Sequence, residues 1–229
     1  MKMFKIYIPV LPLFFMAFFA TAQQAEDRKV GSFDALVAAE GIDVYLRPST
    51  RESVRVEARG IDIRDVLTQV SGGRLKIHLD DGRHRNHSVK VFVEFVQMED
   101  ISASSAATVI SEGRIKGKRL DLSVSSAADI ELDVEVEEVE ASASSAGDIE
   151  LAGKAGFIDA SASSAGGVDA YDLEAKRVRA RASSGGGLKV FATEEIDARA
   201  SSGGSIRYRG SPSRSQTDSS SGGSVRKSY

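Results

Sequence analysis

Seven serine doublets are the residues whose type and repetition first suggest chemistry: Ser104-Ser105, Ser125-Ser126, Ser144-Ser145, Ser163-Ser164, Ser183-Ser184, Ser201-Ser202 and Ser220-Ser221. A serine hydroxyl becomes a nucleophile when a nearby base takes its proton and a sharp turn exposes it. No Gly-x-Ser-x-Gly elbow surrounds any doublet and no histidine recurs beside them, so the doublets read as structural. The histidines are His78 and the pair in Asp80-Asp-Gly-Arg-His84-Arg-Asn-His87. Their spacing closes no tetrahedral metal site and the interleaved arginines oppose a cation. That stretch reads as a solvated hairpin loop, with a weak anion or glycan contact as the alternative. There is no cysteine, which removes disulfides, thiol nucleophiles and thiolate metal ligands together.

Stepping from one doublet to the next takes 21, 19, 19, 20, 18 and 19 residues. A fixed period of this length is the signature of a repeat architecture. Each doublet is followed by two small residues (AA, AA, AG, AG, GG, GG, GG), and the residue two places beyond them is aliphatic in every unit: Val109, Ile130, Ile149, Val168, Leu188, Ile206 and Val225. Ahead of the doublets the pattern alternates: Val139, Ala141 and Ala143 on one side of a strand, Glu140 and Ser142 on the other. Period two means strand, and Gly or Ala pairs suit a tight corner. One coil buries too few aliphatic side chains to offset the entropy of ordering about 19 residues, so coils must stack. The expected fold is all-β: a single-stranded, right-handed parallel β-helix, or β-solenoid, with coils of about 19 residues and an N-terminal β-rich capping portion. Continuing the alternation one step further sends Ser105, Ser126, Ser145, Ser164, Ser184, Ser202 and Ser221 inward, as a ladder of stacked hydroxyls.

The same stacking aligns outward side chains. Asp121, Glu140, Asp159 and Asp197 form one column, interrupted by Arg179; Ser123, Ser142, Ser161, Arg181 and Arg199 form the next. Stacked like charges are unfavourable, so Asp121, Glu140, Asp159, Arg179, Arg181 and Arg199 are the candidate binding face, against the plainer reading of a solvated surface. Paired carboxylates could serve a glycosidase, but no catalytic residue, cofactor or metal is implied. Along the axis, Glu131–Glu140 is acidic while Lys176–Arg181 and Arg207–Arg209 are basic.

Upstream of the repeats, Ile42–Leu46, Val54–Ala58, Leu75–Leu79 and Val89–Phe95 alternate as strands, Ser71-Gly72-Gly73 and Asp80-Asp81-Gly82 read as turns, and 61–70 contains a short helical turn as one alternative. The order FDALVAAEGIDVYL, ESVRVEA, SGGRLKIHL, VKVFVEF and ISASSAATV, with Gly41-Ile42-Asp43-Val44 inside it, resembles the family described as "putative auto-transporter adhesin, head GIN domain" (DUF2807), typical of exported Bacteroidetes proteins. The resemblance spans roughly 30–210. It implies a β-helical fold, an envelope location and surface binding.

The first residues agree with export. Lys2 and Lys5 precede an apolar run broken by Pro9 and Pro12, and Ala20-Thr21-Ala22 offers a cleavage site. The expected organisation is a signal peptide over 1–22, an N-terminal β-rich part over 23–100, repeats over 101–210 and a polar coil or tail over 211–229. Without Lys2 and Lys5 the formal charge moves from -3 to -5, which disfavours nucleic acid as a partner. With no length after the repeats for a translocating barrel, the expected location is the periplasm, the outer-membrane periphery or the cell surface. The expected function is a non-enzymatic exported scaffold that binds a glycan or another envelope component. The alternatives are a structural envelope protein that assembles end to end, as a homo-oligomer, and a polysaccharide-active β-helix enzyme.

Overall fold

The computed structural model describes residues 23–82 and 86–228. The signal-peptide segment and His84 lie outside the described residues. Within them the chain forms seventeen strands, one 3₁₀ turn at Ile63–Asp65, and no α-helix.

The stacked coils run through β8 (Asp100–Ala103), β9 (Thr108–Ser111), β10 (Ile115–Val124), β11 (Asp129–Ala143), β12 (Asp148–Ala162), β13 (Gly167–Ala182), β14 (Gly187–Ala200), β15 (Ser205–Arg209), β16 (Arg214–Ser219) and β17 (Ser224–Lys227). All of these pair in parallel with neighbouring coils, and β16 and β17 end the stack with one neighbour each. The result is a parallel β-solenoid of about seven turns. Segments after each serine doublet stack as a first wall, and segments before the next doublet stack as a second. Within the described part of the expected C-terminal coil or tail, residues 211–228, β16 and β17 pair as a further coil.

Burial follows the alternation. The first wall contributes large aliphatics such as Ile130, Leu132, Ile149, Leu151 and Leu188, while the second contributes Ala141, Ala143, Ala160, Ala162, Ala180, Ala182, Ala198 and Ala200, all buried. Pairing a large-residue wall with an alanine wall lets the two approach closely at native packing density. Among the described residues no polar or charged side chain is buried.

That core corrects the inward serine ladder. Ser105, Ser126, Ser145, Ser164, Ser184, Ser202 and Ser221 are all exposed, with φ between 47° and 55°. Each is the first of two left-handed residues in a tight turn. The residue after the small pair's first member closes the turn onto the doublet's first serine, as in Gly147 N to Ser144 O at 2.9 Å and Gly186 N to Ser183 O at 2.8 Å. Two positive φ values with this closure define a type I′ turn. Strand alternation stops where the backbone enters the left-handed region, so the second serine swings out to solvent. A ladder does run up this corner, but through the backbone: Ala106 N donates to Ser126 O, Ala127 N to Ser145 O and Ala146 N to Ser164 O, at 3.1, 3.1 and 3.2 Å.

The N-terminal part is not stacked in chain order. Its strands are β1 (Gln24–Arg28), β2 (Ala35–Ala38), β3 (Asp43–Pro48), β4 (Ser53–Arg59), β5 (Val66–Ser71), β6 (Arg74–Leu79) and β7 (Ser88–Phe95). The coil made by β2 and β3 lies between two later ones: β2 pairs with β6 and with β8, and β3 pairs with β7 and with β9, all in parallel. Beyond them the strands turn antiparallel, β4 on β7, β5 on β6, and β1 on β4. Arg28 fastens β1 by donating to the carbonyls of Val66 and Ile63 at 2.5 and 2.7 Å. The 3₁₀ turn is capped by Asp62, whose carboxylate accepts from Arg64 N at 3.0 Å.

Candidate binding faces

The outer surface of the second wall holds every residue of the expected binding face. Parallel register places Asp121 beside Glu140, Glu140 beside Asp159, Asp159 beside Arg179, and Arg179 beside Asp197. The adjacent column reads Ser123, Ser142, Ser161, Arg181, Arg199. These side chains meet one another. Arg119 reaches Asp121 and Glu140, both at 2.8 Å. Arg181 and Arg179 share Asp159 at 3.0 and 3.4 Å, and Arg199 holds Asp197 at 3.1 Å. The hydrogen bond to Asp121 raises the Arg119 pKa above its already high value. Arg119 lies outside the repeated phrase, so the column alone gave no sign that its acids were neutralised. A wall whose charges are satisfied internally has less to offer a ligand, and exposed pairs of this kind contribute little to stability.

The first wall carries a different surface. One outward column runs the length of the molecule: Arg55, Phe92, Tyr45, Ile110, Glu131, Glu150, Asp169, Lys189, Arg207, Arg226. It divides into an apolar part, an acidic part and a basic part. From Ile110 onward these residues stand five places after the second serine of each doublet, so the signal for them was present in the repeat alignment. The apolar part is out of reach of that alignment, because Phe92 and Tyr45 come from the unrepeated region.

The Tyr45 and Phe92 rings stack with centroids 5.1 Å apart and 17° between planes, and the Lys90 ammonium lies 5.7 Å from the Tyr45 centroid. Charged groups surround this shelf in fixed pairs, Arg47 with Glu112 at 2.7 Å and Arg51 with Glu94 at 3.9 Å, while Ser53 Oγ donates to Glu94 at 2.9 Å. With β1 as a rim, they line a concavity of about 830 Å³. An apolar ridge among paired guanidinium and carboxylate groups suits a ligand with an apolar face and many hydroxyls.

Farther along the wall a second concavity of about 570 Å³ lies over the charged part of the column. Its floor is the neighbouring outward column, which reads Asp129, Asp148, Gly167, Gly187, Ser205, Ser224. The two glycines leave the middle of the wall low, and the Asp148 carboxylate leans over Gly167. Burial, and then the neighbouring Asp129 carboxylate, push the Asp148 pKa up. Lys189 binds Asp169 at 2.7 Å, where the acidic and basic parts meet. Glu131, Glu150, Arg207 and Arg226 form no ion pair among the described residues. No group of three side chains able to hold a metal ion occurs among the described residues. His78 Nδ1 lies 2.8 Å from its neighbour's carbonyl, Leu79 O.

A sequence model of the family described as "Putative auto-transporter adhesin, head GIN domain" matches residues 32–212. No curated protein matches the chain. Among solved structures, a "putative adhesin" from Bacteroides fragilis NCTC 9343 superposes with a TM-score of 0.83 at 20% identity, covering 91% of this chain and 98% of that one. A "putative adhesin" from Parabacteroides distasonis ATCC 8503 gives 0.73 at 18% identity, with 91% and 98% covered. A "Putative lipid binding protein" from the same strain gives 0.64 at 18% identity, with 90% and 97% covered. At such identities the likeness concerns the fold.

Proposed function

The chain belongs to the head GIN domain family, and on that premise we propose that it is an exported, non-enzymatic binding scaffold of the cell envelope that holds a glycan or another envelope component on its first wall. The observation that carries this reading is the Phe92–Tyr45–Ile110 shelf. Aromatic side chains left on the outside of a rigid sheet, with arginines and carboxylates on either side, have the composition of a recognition hot spot. The solenoid supplies the rigidity, because each strand under the shelf is bonded on both sides. Export is supported by the basic, apolar and small-residue sequence of the first 22 residues, and the adhesin description of the family agrees with it.

A glycan array probed with the chain from Gln23 tests this, beside the folded double variant Tyr45→Ala/Phe92→Ala. The parent binds a defined set of glycans. The variant loses at least about tenfold in affinity, since truncating a hot-spot anchor costs about 2 kcal/mol or more. A blank array overturns the glycan reading, and a bound set that the double variant leaves unchanged overturns the shelf as its site.

A further inference from the structure

The charged half of the first wall is self-complementary. Three acidic rungs, Glu131, Glu150 and Asp169, are followed by three basic rungs, Lys189, Arg207 and Arg226, in one unbroken column. We propose that this half of the wall is the contact of an antiparallel homodimer. Consider a two-fold axis parallel to the strands, level with the gap between Asp169 and Lys189. It sets Glu131 opposite the partner's Arg226, Glu150 opposite the partner's Arg207, and Asp169 opposite the partner's Lys189. Every pair recurs by symmetry, as an isologous contact requires. The parallel alternative would lay acid on acid and base on base, so electrostatics alone selects the antiparallel arrangement.

The neighbouring column fits the same axis. Asp129 and Asp148 come to face the partner's Ser224 and Ser205, whose hydroxyls can donate to carboxylates. Asp148, whose ionised form is opposed by desolvation and by Asp129, gains a donor there. Gly167 meets the partner's Gly187 at the axis, where a side chain on either would hold the walls apart. Gly187 has open space where a Cβ would stand. The four outer charges without an ion-pair partner among the described residues are those that gain one across the axis.

Six rungs at about 4.8 Å extend roughly 24 Å, which makes this a patch smaller than the roughly 800 Å² per partner of a standard interface. The dimer is therefore weak and governed by charge. The shelves lie beyond the overlap at opposite ends, nine rung spacings or roughly 43 Å apart, so dimerisation would make the molecule bivalent. The contact does not depend on what the shelf binds.

Sedimentation equilibrium on the chain from Gln23 tests the contact. A monomer–dimer equilibrium is expected in about 50 mM salt, shifting to monomer in about 500 mM as the charges are screened. Glu150→Arg alone and Arg207→Glu alone each weaken the dimer by about tenfold or more, because each creates two like-charge contacts. The double variant E150R/R207E restores it to within about threefold, since the inverted pair re-forms across the axis. Tyr45→Ala/Phe92→Ala leaves it unchanged. A monomer at every concentration in low salt overturns the proposal, as does a dimer that the single variants leave intact or that the double variant fails to restore.

Discussion

Three adjacent glycines, Gly185, Gly186 and Gly187, make the packing of the coils measurable, because the same substitution at each meets a different obstacle. An alanine methyl at position 186 would lie 2.5 Å from the Ala162 carbonyl carbon and 2.7 Å from Ser163 N, in the backbone of the preceding coil. Backbone cannot rotate away, so the coils must separate. Overpacking of this kind costs roughly 1–3 kcal/mol or more. At position 187 nothing lies within 4 Å and φ is not left-handed. Within a single subunit, at a salt concentration that screens association, alanine there restricts only the unfolded chain and stabilises by roughly 0.4–1 kcal/mol. At position 185 there is again open space, but φ is +75°. A side chain in the left-handed region costs about 1 kcal/mol, and Ala106, Ala127, Ala146 and Ala165 show that the site accepts it at φ between 58° and 62°. By the same reasoning Ala146→Gly gains what Gly185→Ala loses. Urea unfolding followed by far-UV circular dichroism should rank Gly186→Ala below Gly185→Ala, then the parent, then Gly187→Ala. If Gly186→Ala and Gly187→Ala unfold at the same midpoint, the coils relax freely and the reasoning about their separation is wrong.

Two further outcomes follow from the core and from the acidic part of the first wall. Ala160→Leu places three extra carbons into the alanine wall, where Ala160 is fully buried; it should destabilise by about 1–3 kcal/mol or more, whereas Ser161→Leu on the outer face should stay within about 0.5 kcal/mol in the same unfolding experiment. Asp148 has a folded-state pKa raised above its ordinary value of 3.8, so the folded protein binds that proton more tightly than the unfolded chain does. Its charge therefore opposes folding at neutral pH, and the penalty disappears as pH falls through the raised folded pKa toward 3.8. Asp148→Asn should accordingly raise the urea midpoint at pH 7 and lose that advantage near pH 3; an equal gain at both pH values would rule out the ionisation as its source.

The solenoid was legible because its evidence is repeated. Val139, Ala141 and Ala143 alternate as a strand must, and the same alternation in the neighbouring units fixes which residues face inward. The corner was misplaced by one residue because alternation says nothing about where the backbone leaves the extended region. Serine is an uncommon choice for a left-handed position, and it hid the turn. Coil lengths differ, yet the walls stay in register because the irregularities are absorbed between them, as between Glu150 and Ala152 on β12 and between Ala170 and Glu174 on β13. The order of the N-terminal strands could not be read, because no repeat links β2 to β6 across 39 residues or to β8 across 65. For the same reason the meeting of Tyr45 with Phe92, a contact of tertiary structure alone, had no trace in the sequence.

The interleaved first coil gives the molecule unequal resistance to pulling from its two ends. A load on the N-terminal side unzips β1 from a single neighbour and then reaches β2 and β3, each gripped by hydrogen bonds from above and below, so further extension must shear two ladders at once. A load on the other end meets β17 and β16, each held on one side only, and can peel the stack rung by rung. A protein of this shape tethered through its first residues would keep its shelf under tension that strips its far end.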